Sequence, residues 1–347
     1  MSALTHAGQP VGPAASRGRE HGGARLADLA WLTWRQHRTA IIAGLVLAAV
    51  VTASILYVTE RIATINTECG NAACPADAAS AAPLWGAFGL VRMSAYLALA
   101  VMFVPLLAGV FLGAPLLARE HEQRTLLLAW SQDIRPQRWL WTKLAILGAV
   151  TAAASAVVSA AADHLAHVES IATGLDLFFV VAFLVTGMLP LAQGVAWLAV
   201  GVALGAAYRR TLPAIFTALV GYIAAFLLVQ RVYPTLMTPL TALVPIGGNE
   251  GSSPSAANIL VIQNGSATIY DASGHLVSPA TVQSLCPSGD GKFLSGQCLA
   301  QHHFMNLVSY QPGSRIPDFH LILIGGYLGL GVIAVAVVWW LVRRTSL

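Results

Sequence analysis

The chain has 347 residues, of which 56% are apolar and 10% charged, with a formal net charge of +4 and a mean hydropathy of +0.69. Soluble domains run near a quarter charged, so a soluble globular enzyme is excluded. A mainly disordered chain is excluded too, because such chains are charged and poor in aliphatics.

Residues 1–23, rich in Gly, Ala and Pro, read as a disordered cytoplasmic tail. No apolar core of signal-peptide length occurs in residues 1–38. Arg25–Arg38 (RLADLAWLTWRQHR) places Leu26, Leu29, Trp31, Leu32 and Trp34 against a polar side of Arg25, Asp28, Arg35 and Arg38. That pattern predicts an interfacial helix lying on the membrane, with a cytoplasmic extension of the first span as the alternative.

A span needs about 20 apolar residues to cross roughly 30 Å of hydrocarbon. Six stretches qualify: Thr39–Val58, Met93–Leu117, Leu144–Ala162, Leu175–Ala207, Leu212–Val229 and Phe319–Val342. Their formal charge is confined to Asp176, at one end of the fourth, as the cost of an ion at mid-bilayer requires. The fourth stretch, at 33 residues, is too long for one straight crossing. Gly187, Pro190 and Gly194 can kink it, with Gln193 beside the kink. It reads as one long, tilted or broken helix whose inner end protrudes into the cytoplasm. The expected fold is therefore an all-α polytopic membrane protein of six transmembrane helices with a small, disulfide-clipped extracellular cap containing a β-hairpin. Residues 24–229 hold the first five spans, 230–318 the cap, and 319–347 the last span and a cytoplasmic tail.

Charge supports this count. With the N-terminus inside, 14 of the 19 Lys and Arg residues fall on the cytoplasmic side. Among them are Arg119, Arg124, Arg135, Arg138 and Lys143 in one loop, and Arg209, Arg210, Arg343 and Arg344 elsewhere. Short cytoplasmic loops collect such residues, and splitting the fourth stretch would put Arg343 and Arg344 outside. Both termini are thus expected in the cytoplasm of a multi-pass cell-membrane protein. The net charge reflects this bias and contact with anionic lipid; it implies no nucleic acid.

All four cysteines fall in predicted outer segments, where disulfides persist. Local bridges Cys69–Cys74 and Cys286–Cys298 are the simplest of three pairings, and their spacings fit no CxxC metal or redox site. Within the cap, Ile259–Gln263 and Ala267–Tyr270 flank Asn264-Gly265, a hairpin signal, and Asp271–Gly274 is a second turn. The sequon Asn264-Gly265-Ser266 is better explained by that turn than by glycosylation.

The loop Arg119–Lys143 (REHEQRTLLLAWSQDIRPQRWLWTK) is the most informative cytoplasmic segment. It runs from charges through Leu126, Leu127, Leu128, Ala129 and Trp130, breaks at Asp133–Pro136, and resumes with Trp139 and Trp141. A connector needs only a few residues. An apolar ridge bounded by charges suits docking into a groove on a soluble partner; a tryptophan-anchored surface helix is the plainer alternative.

Chemistry of its own is hard to find in this chain. Gly291-Lys292 is followed by Phe293, and Cys286 stands where a phosphate-binding loop needs its first glycine. His121-Glu122-Gln123-Arg124-Thr125 begins like a zinc-protease motif but ends in Thr. Asp163, His164, His167 and Glu169 could reach a metal from an outer loop, although such spacing is usually solvated surface, and His302-His303 reads the same way. No Gly-x-Ser-x-Gly elbow and no acidic relay across the membrane is present.

The inner loop resembles the membrane subunits of type-2 ABC exporters, which carry an acidic pair, then Gly-Thr-Leu, then a Pro- or Arg-containing stretch and a basic residue opening the next span. Glu120, Glu122, Thr125, Leu126, Arg135, Pro136, Arg138 and Lys143 align with that pattern, with Arg124 where Gly is usual. Trp31–Arg38 and Tyr310–Arg315 look like an actinobacterial branch of these permeases. The resemblance implies a membrane half-transporter, not an enzyme, that pairs with a second permease copy or a related one and with separate ATP-binding subunits. ATP and Mg would then sit on the partner and no cofactor on this chain. Glu120, Glu122, Arg124 and Thr125 would carry coupling, with Leu126, Leu127 and Trp130 on the docking ridge. Two other readings remain: a membrane-embedded enzyme acting on lipid-linked substrates through Asp163, His164, His167 and Asp318, or an extracellular ligand sensor.

Overall fold

The computed structural model describes residues 26–71, 74, 82–85, 89–123, 136–174, 176–178, 180–246, 259–263, 269–286 and 296–345. Among these residues, six helices are long and apolar enough to cross a membrane: Ala30–Glu68, Leu90–Glu122, Arg138–Thr173, Leu189–Tyr208, Thr211–Thr235 and Gly313–Arg344. The protein is a mostly helical, multi-pass membrane protein with a small antiparallel sheet near its C-terminus.

Helix α1 (Leu26–Glu68) is continuous, so the segment expected to lie separately on the interface is instead the first turns of the spanning helix. Its 43 residues extend about 65 Å at 1.5 Å each, well beyond the hydrocarbon. Helix α2 (Leu90–Leu107) passes through a π-helical segment, Ala108–Gly113, into α3 (Ala114–Glu122). Helix α4 (Pro136–Thr173) likewise outruns its apolar stretch. That extension moves Asp163, His164, His167 and Glu169 from the expected outer loop onto a helix.

The fourth apolar stretch is broken. A six-residue helix α5 (Val180–Val185) is followed by a turn and then by α6 (Leu189–Tyr208). Gly187 takes φ +62 in that turn, a value glycine alone adopts without steric cost. Pro190 stands in the first turn of α6, where it displaces no helical hydrogen bond. The kink expected from Gly187 and Pro190 is therefore a full interruption. Helix α6 stops at Tyr208, and Arg209 turns the chain in a left-handed conformation into α7 (Thr211–Val232).

Helix α6 is the axis of the bundle: 14 of its 20 residues are buried. It packs against the π-helical segment, α3, α4, α7 and the last helix, α10 (Ile316–Thr345). The approach to the π-helical segment is backbone to backbone. A Cβ placed on Gly113 would lie 2.5 Å from Leu198 O, and one on Gly109 2.8 Å from Trp197 O. Gly201 and Gly205 face Gly109 and Ala114 from the other side. Two glycine pairs, each four residues apart, thus bring these helices together as small residues do in lipid.

At the cysteine-bearing end, Phe178, Phe183, Tyr233 and Phe319 form a buried aromatic cluster. Beyond it lies the cap. Its sheet comprises β1 (Leu240–Pro245), β2 (Ile259–Gln263), β3 (Ile269–Tyr270), β4 (Leu276–Val277) and β5 (Met305–Pro312). Strand β5 is central: β1 pairs along one edge, while β2 and β3 follow one another along the other. Among the described residues, the strands flanking Asn264-Gly265 therefore pair with β5 and not with each other, and that dipeptide itself lies outside them. The hairpin is one turn later, where β3 and β4 pair across Asp271–Gly274. There Asp271 Oδ1 accepts from the N–H groups of Ser273 and His275, both at 2.9 Å.

Disulfides join Cys69 to Cys74 and Cys286 to Cys298. The first ties the end of α1 to that of α4, since Cys74 N–H donates to Ala172 O at 2.9 Å. The second links α8 (Pro279–Leu285) to α9 (Gly296–Gln301) over a small core of Val282, Leu299 and Phe304. Replacing Cys286 and Cys298 together with serine should lower the cap's stability by about 2–3 kcal/mol, the chain-entropy value for so short a loop. Hydrogen exchange at β3–β5 should then rise while α6 stays protected; equal rates at β3–β5 with and without the bridge would contradict this.

Candidate functional site at the arginine-rich end

The last turn of α3 supplies Arg119, Glu120 and Glu122, the first turns of α4 supply Trp139 and Lys143, and the α6–α7 turn supplies Arg209, Arg210 and Thr211. Lys143 is buried, its side chain 1% exposed, and forms an ion pair with Glu120, whose side chain is 14% exposed. Its ammonium also lies 4.0 Å from the centroid of the Trp139 ring. A dehydrated ammonium is tolerated only with such partners. The pair bridges the residues just before and just after 124–135. It fixes the two feet of that segment against each other.

Glu122 does something different. Its Oε1 accepts from Thr211 N–H at 2.8 Å and its Oε2 from the Thr211 hydroxyl at 2.9 Å. Arg210, the residue preceding α7, provides no side-chain cap. Glu122 therefore caps α7 from 89 positions away, with its negative charge at the positive end of the helix dipole. The partner of this exposed carboxylate is a helix terminus. Together Glu120 and Glu122 anchor the end of α3 to α4 and to α7.

Of the residues expected to carry coupling, Glu120 and Glu122 engage separate partners, Lys143 and Thr211, whereas Arg124, Thr125, Leu126, Leu127 and Trp130 lie outside the described residues. Lys143 and Thr211 went unrecognised as their partners. For Lys143 a signal existed: a lysine embedded between Trp139, Leu140 and Leu144 needs an acidic partner, and Glu120 closes the preceding span.

A second polar constellation holds the break between α5 and α6. Asp163 Oδ1 accepts from Gly187 N–H at 2.9 Å, and the Ser159 hydroxyl donates to Gly187 O. His320 Nε2 lies 3.0 Å from Phe183 O. The groups offered for lipid-linked enzyme chemistry do not converge: Asp163 is engaged by Gly187, while His164, His167 and Asp318 are exposed. Among the described residues, none of these joins two other potential ligands closely enough to share a metal; Cys286, Cys298 and His302 do. Both of those sulfurs are spent in a disulfide, leaving no thiolate to bind one.

The motif Tyr310–Arg315 also acquires a physical role. Gln311, fully buried, donates through Nε2 to Met237 O at 2.7 Å, and Arg315 donates to Thr238 O and to Gln311 Oε1, both at 2.8 Å. These bonds tie the exit of the fifth span to the entry of the sixth.

Residues 42–233 match a family model described as ABC-2 membrane transporter related. Residues 235–316 match one described as a domain of unknown function. The boundary between the two matches falls where α7 ends and the cap begins. No curated protein and no solved structure matches the chain.

Proposed function

The chain belongs to the ABC-2 membrane transporter related family, and from that premise we propose that it is the membrane half of an exporter driven by a separate ATP-binding subunit. As a permease subunit of an ABC transporter it is a transporter component rather than an enzyme. In our reading two permeases, identical or related, enclose the path, and ATP with Mg is bound and hydrolysed on the partner subunits. Segment 119–143 is the coupling element, lying in the cytoplasm with both termini.

The observation that best supports this is the anchoring of that segment's feet. Glu120–Lys143 and Glu122–Thr211 connect it to α3, α4 and α7, so a push on residues 124–135 reaches three helices at once. Coupling needs such a rigid connection between a docking surface and the moving bundle.

Co-purification tests it. Wild-type protein should retain an ATP-binding subunit. Leu127→Asp, which puts a carboxylate where an apolar groove is expected, should lose that subunit almost entirely while inserting normally. Glu122→Ala should lose it in part, and Asp271→Ala in the cap should keep it. Retention of the ATPase and of its turnover by both inner variants would reduce this segment to a surface anchor.

Orientation has its own test, motivated by the basic residues at this end. A cysteine at Arg210 should resist a membrane-impermeant thiol reagent in intact cells, and one at Ser273 should react. The reverse pattern would invert the topology.

A further inference from the structure

Helices α2, α4 and α5, with Ile55 of α1, line a partly open cavity of about 310 Å³, at the lower end of the roughly 300–1,000 Å³ typical of small-ligand sites. Its lining is Ala, Val, Leu and Ile except for Ser94 and Glu169. Glu169 is 5% exposed. Among the described residues, no other titratable side chain lines the cavity.

The hydrogen bonding around Glu169 is arranged for two charge states. Ser94 Oγ lies 2.7 Å from Glu169 Oε1 and also 2.7 Å from Val91 O. A hydroxyl has one proton to donate. With Glu169 protonated, its O–H donates to Ser94, which donates to Val91 O. With Glu169 ionised, Ser94 turns to donate to the carboxylate. That second state leaves a negative charge buried in an apolar wall, which is costly without a counter-charge. Among the described residues, no Lys, Arg or His lining the cavity supplies one. A small inorganic cation would need six or more oxygen ligands, and these walls have almost none.

We propose that this cavity binds the apolar body of an amphiphilic organic cation, with the Glu169 carboxylate as its counter-ion and Ser94 as the switch that satisfies the carboxyl when the site is empty and protonated. This rests on the permease reading and gives that permease a substrate class. Binding of the cation exchanges one proton from Glu169 to solvent.

The test uses the full chain in dodecyl maltoside, without any ATP-binding subunit, and radiolabelled tetraphenylphosphonium as probe. Saturable binding is expected, weakening by about tenfold per pH unit where Glu169 is protonated, the slope of one exchanged proton. Tetraphenylborate, the same shape with opposite charge, should not compete. Glu169→Gln keeps the volume and the bond to Ser94, so it should fold as wild type yet bind at least tenfold more weakly. Ala98→Leu, which fills the cavity from α2, should weaken both cation binding and any residual binding to Glu169→Gln. Competition by phosphatidylethanolamine would make a lipid amine the natural occupant, and its absence a free amphiphile; either keeps the site. Equal affinity in Glu169→Gln, or no saturable binding by folded wild-type protein, would overturn the proposal. Neither result bears on whether an ATPase co-purifies, so this inference and the permease reading fail separately.

Discussion

Replacing Lys143 with alanine should cost about 3–5 kcal/mol, the usual penalty for stranding one partner of a buried ion pair. Glu120 would keep its place near the end of α3 but lose the ammonium that compensates its charge. The Trp139 ring would lose the cation above it. Titration of folded protein with a denaturing detergent should show the loss directly. A double variant, Glu120→Leu with Lys143→Met, removes both charges and substitutes apolar volume; such exchanges are often neutral or stabilising. It should recover most of the stability. The coupling proposal makes a further demand. If the ion pair acts by holding the feet of residues 124–135, the double variant should fold and retain its ATP-binding subunit, whose ATP hydrolysis should then no longer respond to substrate. Unchanged stability in Lys143→Ala would mean that the pair is open to water, and the anchoring argument would fall with it.

Hydropathy made the number of spans legible, because a lipid-facing helix must be apolar along about 20 residues whatever it packs against. The ends were not legible by the same measure. Helices α1 and α4 continue past their apolar stretches, through Glu60, Arg61 and Asp163 to Glu169, where no pattern of hydrophobicity distinguishes helix from loop. At the fourth stretch Gly187 and Pro190 marked the weak point. Whether they bend or interrupt a helix depends on what receives the freed backbone groups, and Asp163 and Ser159 come from another span to do so.

Non-local pairing explains the remaining differences. Asn-Gly is a sound local signal for a hairpin, yet β5 offers a long edge from 35 or more residues further along, and β2 and β3 both pair with it. Strand β5 itself was not read as a strand; only its end entered the sequence reading, within the motif Tyr310–Arg315. In the site, Glu122 was recognisable as an important carboxylate by position. Its partner Thr211 was not, because a helix terminus advertises no charge in a sequence.

Gly113→Leu should leave no folded protein, because the backbone stands where its side chain would go. Even a Cβ at this position would meet Leu198 O at 2.5 Å, with Gly201 Cα at 3.0 Å. These are main-chain atoms of the most buried helix, which cannot turn aside as a flexible side chain can. The helices would have to separate, and in lipid no hydrophobic effect draws them back, since close packing is itself the attraction. Gly113→Ala should cost at or above the upper end of the roughly 1–3 kcal/mol seen for overpacking. Gly148 provides the contrast, since nothing lies within 4 Å of a Cβ built on it. Gly148→Ala should stabilise α4 by about 0.5–1 kcal/mol through helix propensity alone. Size-exclusion chromatography and detergent unfolding would measure all three variants. Monodisperse Gly113→Leu protein with wild-type stability would show that α6 and the π-helical segment are not in backbone contact.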